Sequence, residues 1–236
     1  MSTIMMVRHG QASFGEKNYD RLSRRGREQS RVLAEYMIRI GLSFDAVYAG
    51  DMVRQKDTAH EILAIYRLQD RNLPELKVLS EFNEYSSRDI IMAHIHDAAG
   101  EDPDLKADLK YIYDDKKAFQ RVFEKIMMRW ISGEADKPGV VRWQDFCGRV
   151  RTGLCKVMGD NGRGKTILIC TSGGPISAAV QTALELSDEK ALRIAWQIVN
   201  TSMTSFVYND ERMALTSFNN ASHLALLNDP AWVTYR

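Results

Sequence analysis

The stretch Lys165-Thr166-Ile167-Leu168-Ile169-Cys170 holds a continuous apolar run of strand length over 167–170, and Thr171-Ser172-Gly173-Gly174-Pro175 turns it directly into a helical segment. A strand with no polar face is covered on both sides, which is the condition of an inner strand in a parallel sheet. The segment that follows, from about 175 to 184, carries its proline in the first turn, where a missing N–H is harmless. The opening of the chain has the same form. Thr3-Ile4-Met5-Met6-Val7 delivers the pair Arg8-His9, and Gly10 turns the chain away. In an open α/β sheet, ligands bind at the carboxyl ends of such strands. A guanidinium beside an imidazole at that edge suits an anion next to a nucleophile.

The rest of the chain follows the same alternation. Residues 11–22 read as a loop with Gly15, Asn18 and Asp20 as turn formers. A helix is expected from 23 to about 40, because Val32, Leu33, Tyr36, Met37 and Ile40 recur at helical spacing against Arg24, Arg27, Glu28, Arg31 and Glu35. Gly41 ends it. Phe44-Asp45-Ala46-Val47-Tyr48-Ala49 is a short strand, Gly50-Asp51 opens a helix to about 66, and 76–79 is a weaker third strand. Strand, helix, strand, helix implies a parallel sheet with right-handed crossovers. A further helix is expected at about 188–197. Residues 201–208 and 212–218 read as a hairpin around Asn209-Asp210-Glu211.

Between about 86 and 160 the strands disappear. Helical segments at roughly 87–98, 104–131 and 142–159 are punctuated by Asp102-Pro103 and Lys137-Pro138-Gly139. The region reads as a helical insertion in one domain of 1–236, fit either to cover the active edge or to pack on a sheet face. Its apolar stripe of Phe119, Val122, Phe123, Ile126, Met127 and Trp130 suits a core or cap face and equally a homodimer surface.

Composition narrows the function classes. A net charge of +1 argues against a surface that coats nucleic acid and leaves room for a local basic pocket. No apolar run reaches membrane-spanning length and no signal peptide is present, so no membrane partner is expected. The three cysteines, Cys147, Cys155 and Cys170, form no CxxC pair and fit reduced thiols in the cytoplasm. His94 and His96 diverge on a helix, His60 lies on a different helix face from Arg54, and no other cluster has metal-ligand spacing. No metal or cofactor is called for.

Three strand ends carry groups suited to one anion. Arg8-His9 follows the first strand, and Arg54 lies in the first turn of the helix after the second. Ser172-Gly173-Gly174 starts the helix after the buried strand. Helix starts present unpaired N–H groups and the positive end of the dipole, and arginines supply permanent bidentate charge. Arg54 has a competing account, a surface ion pair with Asp57.

These motifs, in order, resemble the histidine phosphatase superfamily, the phosphoglycerate mutase-like group. The hallmark is Arg8-His9-Gly10 after an apolar strand. With it go Leu22-Ser23-x-x-Gly26-x-x-Gln29, Tyr48-Ala49-Gly50-x-x-x-Arg54-x-x-x-Thr58-Ala59, Ile167-Leu168-Ile169-x-x-Ser172-Gly173-Gly174 and Asn219-x-x-x-His223-Leu224. Together with the strand–helix alternation, the resemblance implies a three-layer α/β/α sandwich with a mostly parallel central sheet and a helical insertion. It implies that His9 attacks phosphorus and is transiently phosphorylated, that Arg8 and Arg54 bind phosphate, and that a carboxylate after the third strand is the general acid. Glu84, in Phe82-Asn83-Glu84-Tyr85, fits that pattern first and Glu81, in Leu79-Ser80-Glu81, nearly as well. A nucleophilic imidazole must be neutral, and a backbone carbonyl in the Gly10 turn is placed to hold its other N–H. Gln11 and Ser13 either contact phosphate or cap the loop; His223 is either a neighbour of the site or a packed histidine.

One position departs from the family. Where it has a second histidine before the Gly-Gly turn, this chain has Ser172. Hydrogen bonds to charged groups are worth roughly 1.5–3 kcal/mol, so the exchange costs about 10- to 100-fold in rate. The expected activity is therefore a slow phosphomonoesterase acting on a small phosphorylated substrate, with inorganic phosphate as product. Two other readings stand beside it. One is a phosphoglycerate-type mutase, which Gln11-Ala12-Ser13-Phe14 disfavours, and the other is a weakly active phospho-ligand sensor.

Overall fold

The computed structural model of the protein describes residues 1–13, 20–112, 114–133, 136–209 and 212–235. The turn formers Gly15 and Asn18, with Phe14, and the hairpin residues Asp210 and Glu211 lie outside them. In chain order the elements are β1 (Ser2–Arg8), α1 (Arg24–Arg39), β2 (Ala46–Ala49), α2 (Val53–Leu68), β3 (Leu76–Val78), α3 (Ser87–Glu101), α4 (Pro103–Asp108), α5 (Lys116–Ser132), α6 (Trp143–Asn161), β4 (Thr166–Thr171), α7 (Gly173–Leu184), α8 (Asp188–Ala195), β5 (Met203–Tyr208), β6 (Met213–Asn220) and α9 (Ser222–Ala225). The chain forms two compact units, Met1–Glu84 with Arg149–Arg236, and Tyr85–Gly148.

The first unit is built on a six-stranded sheet in the order β3-β2-β4-β1-β5-β6. β1, β2, β3 and β4 run parallel, and β5 and β6 add an antiparallel edge. Side chains alternate across the sheet. Met5, Val7, Val47, Ala49, Leu168 and Cys170 pack against Leu33, Ala34, Met37 and Ile38 of α1 and Ala59, Ile62 and Tyr66 of α2. Ile4, Met6, Tyr48, Ile167 and Ile169 are buried on the other side, where Asn161 at the end of α6 donates to the Tyr48 hydroxyl at 3.0 Å. The result is an α/β sheet flanked by helices, the three-layer arrangement expected from the sequence. Burying chains such as Leu33 and Ile62 completely is worth roughly 1.5–3 kcal/mol each.

Helix boundaries follow local chemistry. Ser23 caps α1 through Gly26 N, and Gly41 and Leu42 close its far end on the carbonyls of Ile38 and Met37. β6 runs to Asn220, two residues past the expected end, because it keeps pairing with β5.

The second unit is helical. The single helix expected over 104–131 is two: α4 stops at Asp108, and Asp115 caps a new start by accepting from Lys117 N at 2.8 Å. Aspartate competes for backbone N–H groups, so a run such as Asp114-Asp115 favours a cap over a helix interior. Val122, Ile126, Met127 and Trp130 of α5 are buried here, with Trp130 4.8 Å from Tyr85 and 5.4 Å from Trp143 between ring centroids. Most of the apolar stripe is thus the core of this unit.

Candidate active site

The sheet order brings the three strand ends together. Arg8 pairs with Thr171 and Ala49 with Cys170, so β1, β4 and β2 stop at one level. His9 N continues the β1 pairing by donating to Thr171 O at 2.7 Å, and Gly50 N donates to Cys170 O at 3.2 Å. Neighbouring strands lie about 4.8 Å apart, so His9 and Ser172 are adjacent chain ends. The turn after His9 is held backbone to backbone: a Cβ on Gly10 would collide with Gly26 O, and one on Gly26 with Gln11 O. Only glycine permits this approach. Thr58 Oγ1 accepts from Gly10 N at 3.0 Å and donates to Arg54 O at 2.8 Å, tying the turn to α2.

His9 is 3% exposed. Its Nδ1 lies 2.7 Å from Gly10 O, and a carbonyl only accepts, so Nδ1 carries the proton. Arg54 Nε donates to Nε2 at 3.1 Å, which requires a bare lone pair there. Both contacts give the same tautomer. Burial, then the charges of Arg54 and Arg8, hold the imidazole well below its usual pKa, against the opposing pull of the Gly10 carbonyl. At neutral pH His9 is therefore uncharged, with its free lone pair against a cation.

Arg54, 5% exposed, spans from His9 to Asp20, whose Oδ1 accepts from Nη1 at 2.7 Å. The other carboxylate oxygen of Asp20 accepts from Val53 N at 2.9 Å, capping α2 where an anion is favoured. Asp57 is engaged elsewhere, with Arg27 at 3.2 Å. The partner of Arg54 is thus not the one its sequence spacing offered. Arg8 donates to Ile198 O and, at 2.7 Å, to Tyr235 O. Asn200 completes this side: its amide donates to His9 O at 2.9 Å.

The start of α7 forms the other side. Ser172 and Gly173 are fully buried. Ser172 Oγ accepts from Gln55 Nε2 at 2.8 Å, and Glu84 Oε2 accepts from Gly174 N at 3.0 Å. Glu81 sits in a short turn, with its Cβ 2.7 Å from where a side chain on Gly153 of α6 would begin. Glu84 is thus on the helix start beside Ser172, while the Glu81 backbone end packs on α6. Arg149 donates to Asn83 O at 2.8 Å and has both glutamates as electrostatic neighbours; burial lowers its pKa, and the two carboxylates oppose that.

The remaining sequence candidates are placed as follows. Gln11 Oε1 accepts from Ser23 Oγ at 3.0 Å, a loop-capping bond, and Ser13 is buried with its N–H on Arg21 O. His223 is 1% exposed, its Nε2 2.9 Å from Thr201 Oγ1 and its ring 6.0 Å from that of Tyr36. Burial pushes its pKa down to about 4. Thr201 holds φ at +61°, a left-handed conformation costly for a β-branched residue, and its N–H donates to Arg8 O at 3.0 Å. His223 thus supports the backbone beside Arg8. His60 and His96 are exposed, and His94 is buried within the helical unit. Among the described residues, no group of three or more His, Cys, Asp or Glu side chains could hold a metal ion, and no helix is long and apolar enough to cross a membrane.

Sequence reasoning missed Asp20, Gln55, Arg149, Asn200 and Thr201 as parts of this edge. Asp20 had been read as a turn former; the others carry no local signal, since each reaches the edge only through the sheet order.

The profile of the histidine phosphatase superfamily (branch 1) matches residues 4–107 and 112–221. No curated protein matches the chain in sequence. Among solved structures, a phosphoserine phosphatase mutant from Entamoeba histolytica in complex with phosphoserine is similar, with a TM-score of 0.64, 19% identity and coverage of 95% of this chain and 100% of that one. A phosphoglycerate mutase from Bacillus anthracis superposes with a TM-score of 0.63 at 18% identity, covering 97% of each chain. A mycobacterial glucosyl-3-phosphoglycerate phosphatase with inorganic phosphate gives 0.63 at 18%, covering 94% of this chain and 98% of that one. At such identities these likenesses speak to the fold, and the fold and the matched profile agree. The profile across both halves of the sequence, with which the fold agrees, shows that the chain belongs to the histidine phosphatase superfamily.

Proposed function

We propose that the protein is a phosphatase that hydrolyses a small phosphate monoester through a phosphohistidine at His9. Membership of the superfamily, with phosphatases and a mutase among the structural neighbours, supports a phosphatase or phosphoryl-transfer function. The observation that carries the narrower reading is the state of His9. Its Nδ1 proton is committed to Gly10 O and its Nε2 lone pair is free of any proton. An imidazole so held needs no deprotonation before it attacks.

In the first step His9 Nε2 forms a bond to phosphorus while the ester oxygen leaves with a proton from Glu84. Arg54 moves from the nitrogen lone pair to the phosphoryl oxygens, and Arg8 and the N–H groups at the start of α7 share their charge. In the second step water attacks phosphorus, its proton returns to Glu84, and the N–P bond breaks to release phosphate and neutral His9. Glu84 is preferred to Glu81 for the acid because its carboxylate is on the α7 start. Ser172 offers the phosphoryl group a neutral donor, for which a slow rate is expected. The three thiols, none in a disulfide, support a cytoplasmic location.

Hydrolysis of an aryl phosphate near neutral pH, inhibited by vanadate and lost in His9→Ala, tests the proposal. Unchanged turnover in that variant overturns it. Phosphate binding with no label trapped on His9 from a broad ester panel favours the phospho-ligand sensor, which Ser172 motivates.

A further inference from the structure

We infer that Gln55 is a positioning residue that turns the Ser172 hydroxyl into a phosphate donor, so that a Gln55–Ser172 pair replaces the missing charged donor of this site. The inference rests on the phosphatase reading and concerns how the α7 side of the pocket works.

The argument is a count of protons. Gln55 is fully buried. Its amide lies 3.1 Å from Phe82 O and 2.8 Å from Ser172 Oγ. A backbone carbonyl only accepts, so the Gln55 atom facing Phe82 is the nitrogen, and the orientation of the amide is settled. Phe82 O also accepts from Thr171 Oγ1 at 2.7 Å, which fixes the carbonyl itself. The second amide proton then points at Ser172 Oγ, and that oxygen must accept. The serine's own proton is turned away from Gln55, and among the described residues no acceptor takes it. Ser172 is fully buried at the carboxyl end of β4, beside His9 and one residue before the helix start that Glu84 caps. A buried hydroxyl with its proton unclaimed fits an acceptor that arrives with the substrate, and a phosphoryl oxygen is the acceptor this edge is built to receive.

The cost falls on the other end of the amide. Gln55 Oε1 is buried with no hydrogen-bond partner among the described residues, and it lies where a Cβ on Gly50 would be. A buried acceptor without a donor is unfavourable in the folded state. Gly50 makes room for the amide, and the two bonds of Nε2 hold it there.

A double-mutant cycle on the full chain tests the pair, read both as hydrolysis of an aryl phosphate and as the Kd for orthovanadate. Ser172→Ala and Gln55→Ala are each expected to lower kcat about 10-fold with KM little changed, and the double variant to be no worse than Ser172→Ala. Effects that multiply to about 100-fold show Gln55 acting independently of Ser172 and overturn the inference. Gln55→Glu keeps the side chain's size and reverses the bond: a carboxylate can only accept, so it takes the Ser172 proton. That variant is expected to lose activity at neutral pH and regain it as acid protonates the new carboxyl. A pH profile parallel to wild type overturns the inference; melting curves show whether each variant is folded. An inactive wild type refutes the phosphatase reading alone, and the cycle in vanadate affinity then decides the inference. Wild type that neither turns over nor binds vanadate overturns both.

Discussion

The two sides of the candidate site are built from different chemistry. On the β1 side stand two arginines, Arg8 and Arg54, and an imidazole whose proton is committed to Gly10 O. On the β4 side two neutral groups, Ser172 and Gln55, stand with a helix start and Glu84. In the proposed reaction the first side determines whether a phosphoryl group transfers at all. The second sets how fast, because neutral donors contribute roughly half of what charged ones do.

Breaking the first side is expected to have the largest effect. His9→Ala removes the proposed nucleophile, and kcat on an aryl phosphate should fall on the order of 10⁴-fold or more. Glu84→Gln divides substrates by leaving group. Alkyl phosphates, which need a proton on the departing oxygen, should slow about 10²- to 10⁴-fold, and nitrophenyl phosphate far less. A uniform loss across the two would place the acid elsewhere, with Glu81→Gln the next variant to compare. Arg54→Gln should cost about 10²- to 10³-fold. It also removes one of the charges that hold His9 neutral, so the acid limb of the pH–rate profile should move to higher pH. An unmoved limb would mean that burial and Arg8 set the protonation of His9 without Arg54.

Strengthening the second side sharpens the comparison. Ser172→His restores a charged donor, but Ser172 is fully buried and Gln55 is 2.8 Å away. The gain, about 10-fold, is therefore expected in Ser172→His combined with Gln55→Ala, which opens space for the ring. The single replacement should melt at a lower temperature than the double.

The smallest expected effect lies behind Arg8, in stability. His223 has a folded pKa of about 4, below the ordinary value of 6.5. Between those values the unfolded chain binds a proton that the folded chain refuses, so stability is complete above about pH 6.5 and falls as the pH drops toward 4. The loss from this group is at most about 3 kcal/mol. Burial lowers the pKa of His94 as well, and it adds in the same direction. His223→Gln should flatten the fall in Tm between pH 7 and pH 4.5 with little change in kcat at neutral pH.

Several elements of this comparison are legible in the chain itself. The run 167–170 is apolar at every position, which fits a strand with both faces covered, and it lies in the inner strand β4. Arg8-His9 at the end of an apolar run, with Gly10 after it, places one side of the candidate site at a strand end without any tertiary information. The region 86–160 was legible as helical, since its strand signals vanish, although Asp115 divided what periodicity joined. Legibility ends at side-chain partners. Asp20, not Asp57, engages Arg54 because the loop before α1 returns to the start of α2, a contact with no sequence spacing to announce it. His223 matched a family position and packs on Tyr36 and Thr201, because the end of β6 carries it to α1.

By itself, then, the sequence determined the alternation of strands and helices, and the strand ends that carry Arg8, His9, Arg54 and Ser172. These are local properties: periodicity, turn chemistry and residue identity are complete within a dozen residues. Only the tertiary structure decided the order β2-β4-β1, and with it which strand ends meet. It also decided the tautomer of His9, the place of Glu84 on the α7 start, and the pairing of Ser172 with Gln55, 117 residues apart in the chain. The physical reason is that a proton's location depends on what stands opposite it. That partner is supplied by another strand or helix, which no local pattern encodes.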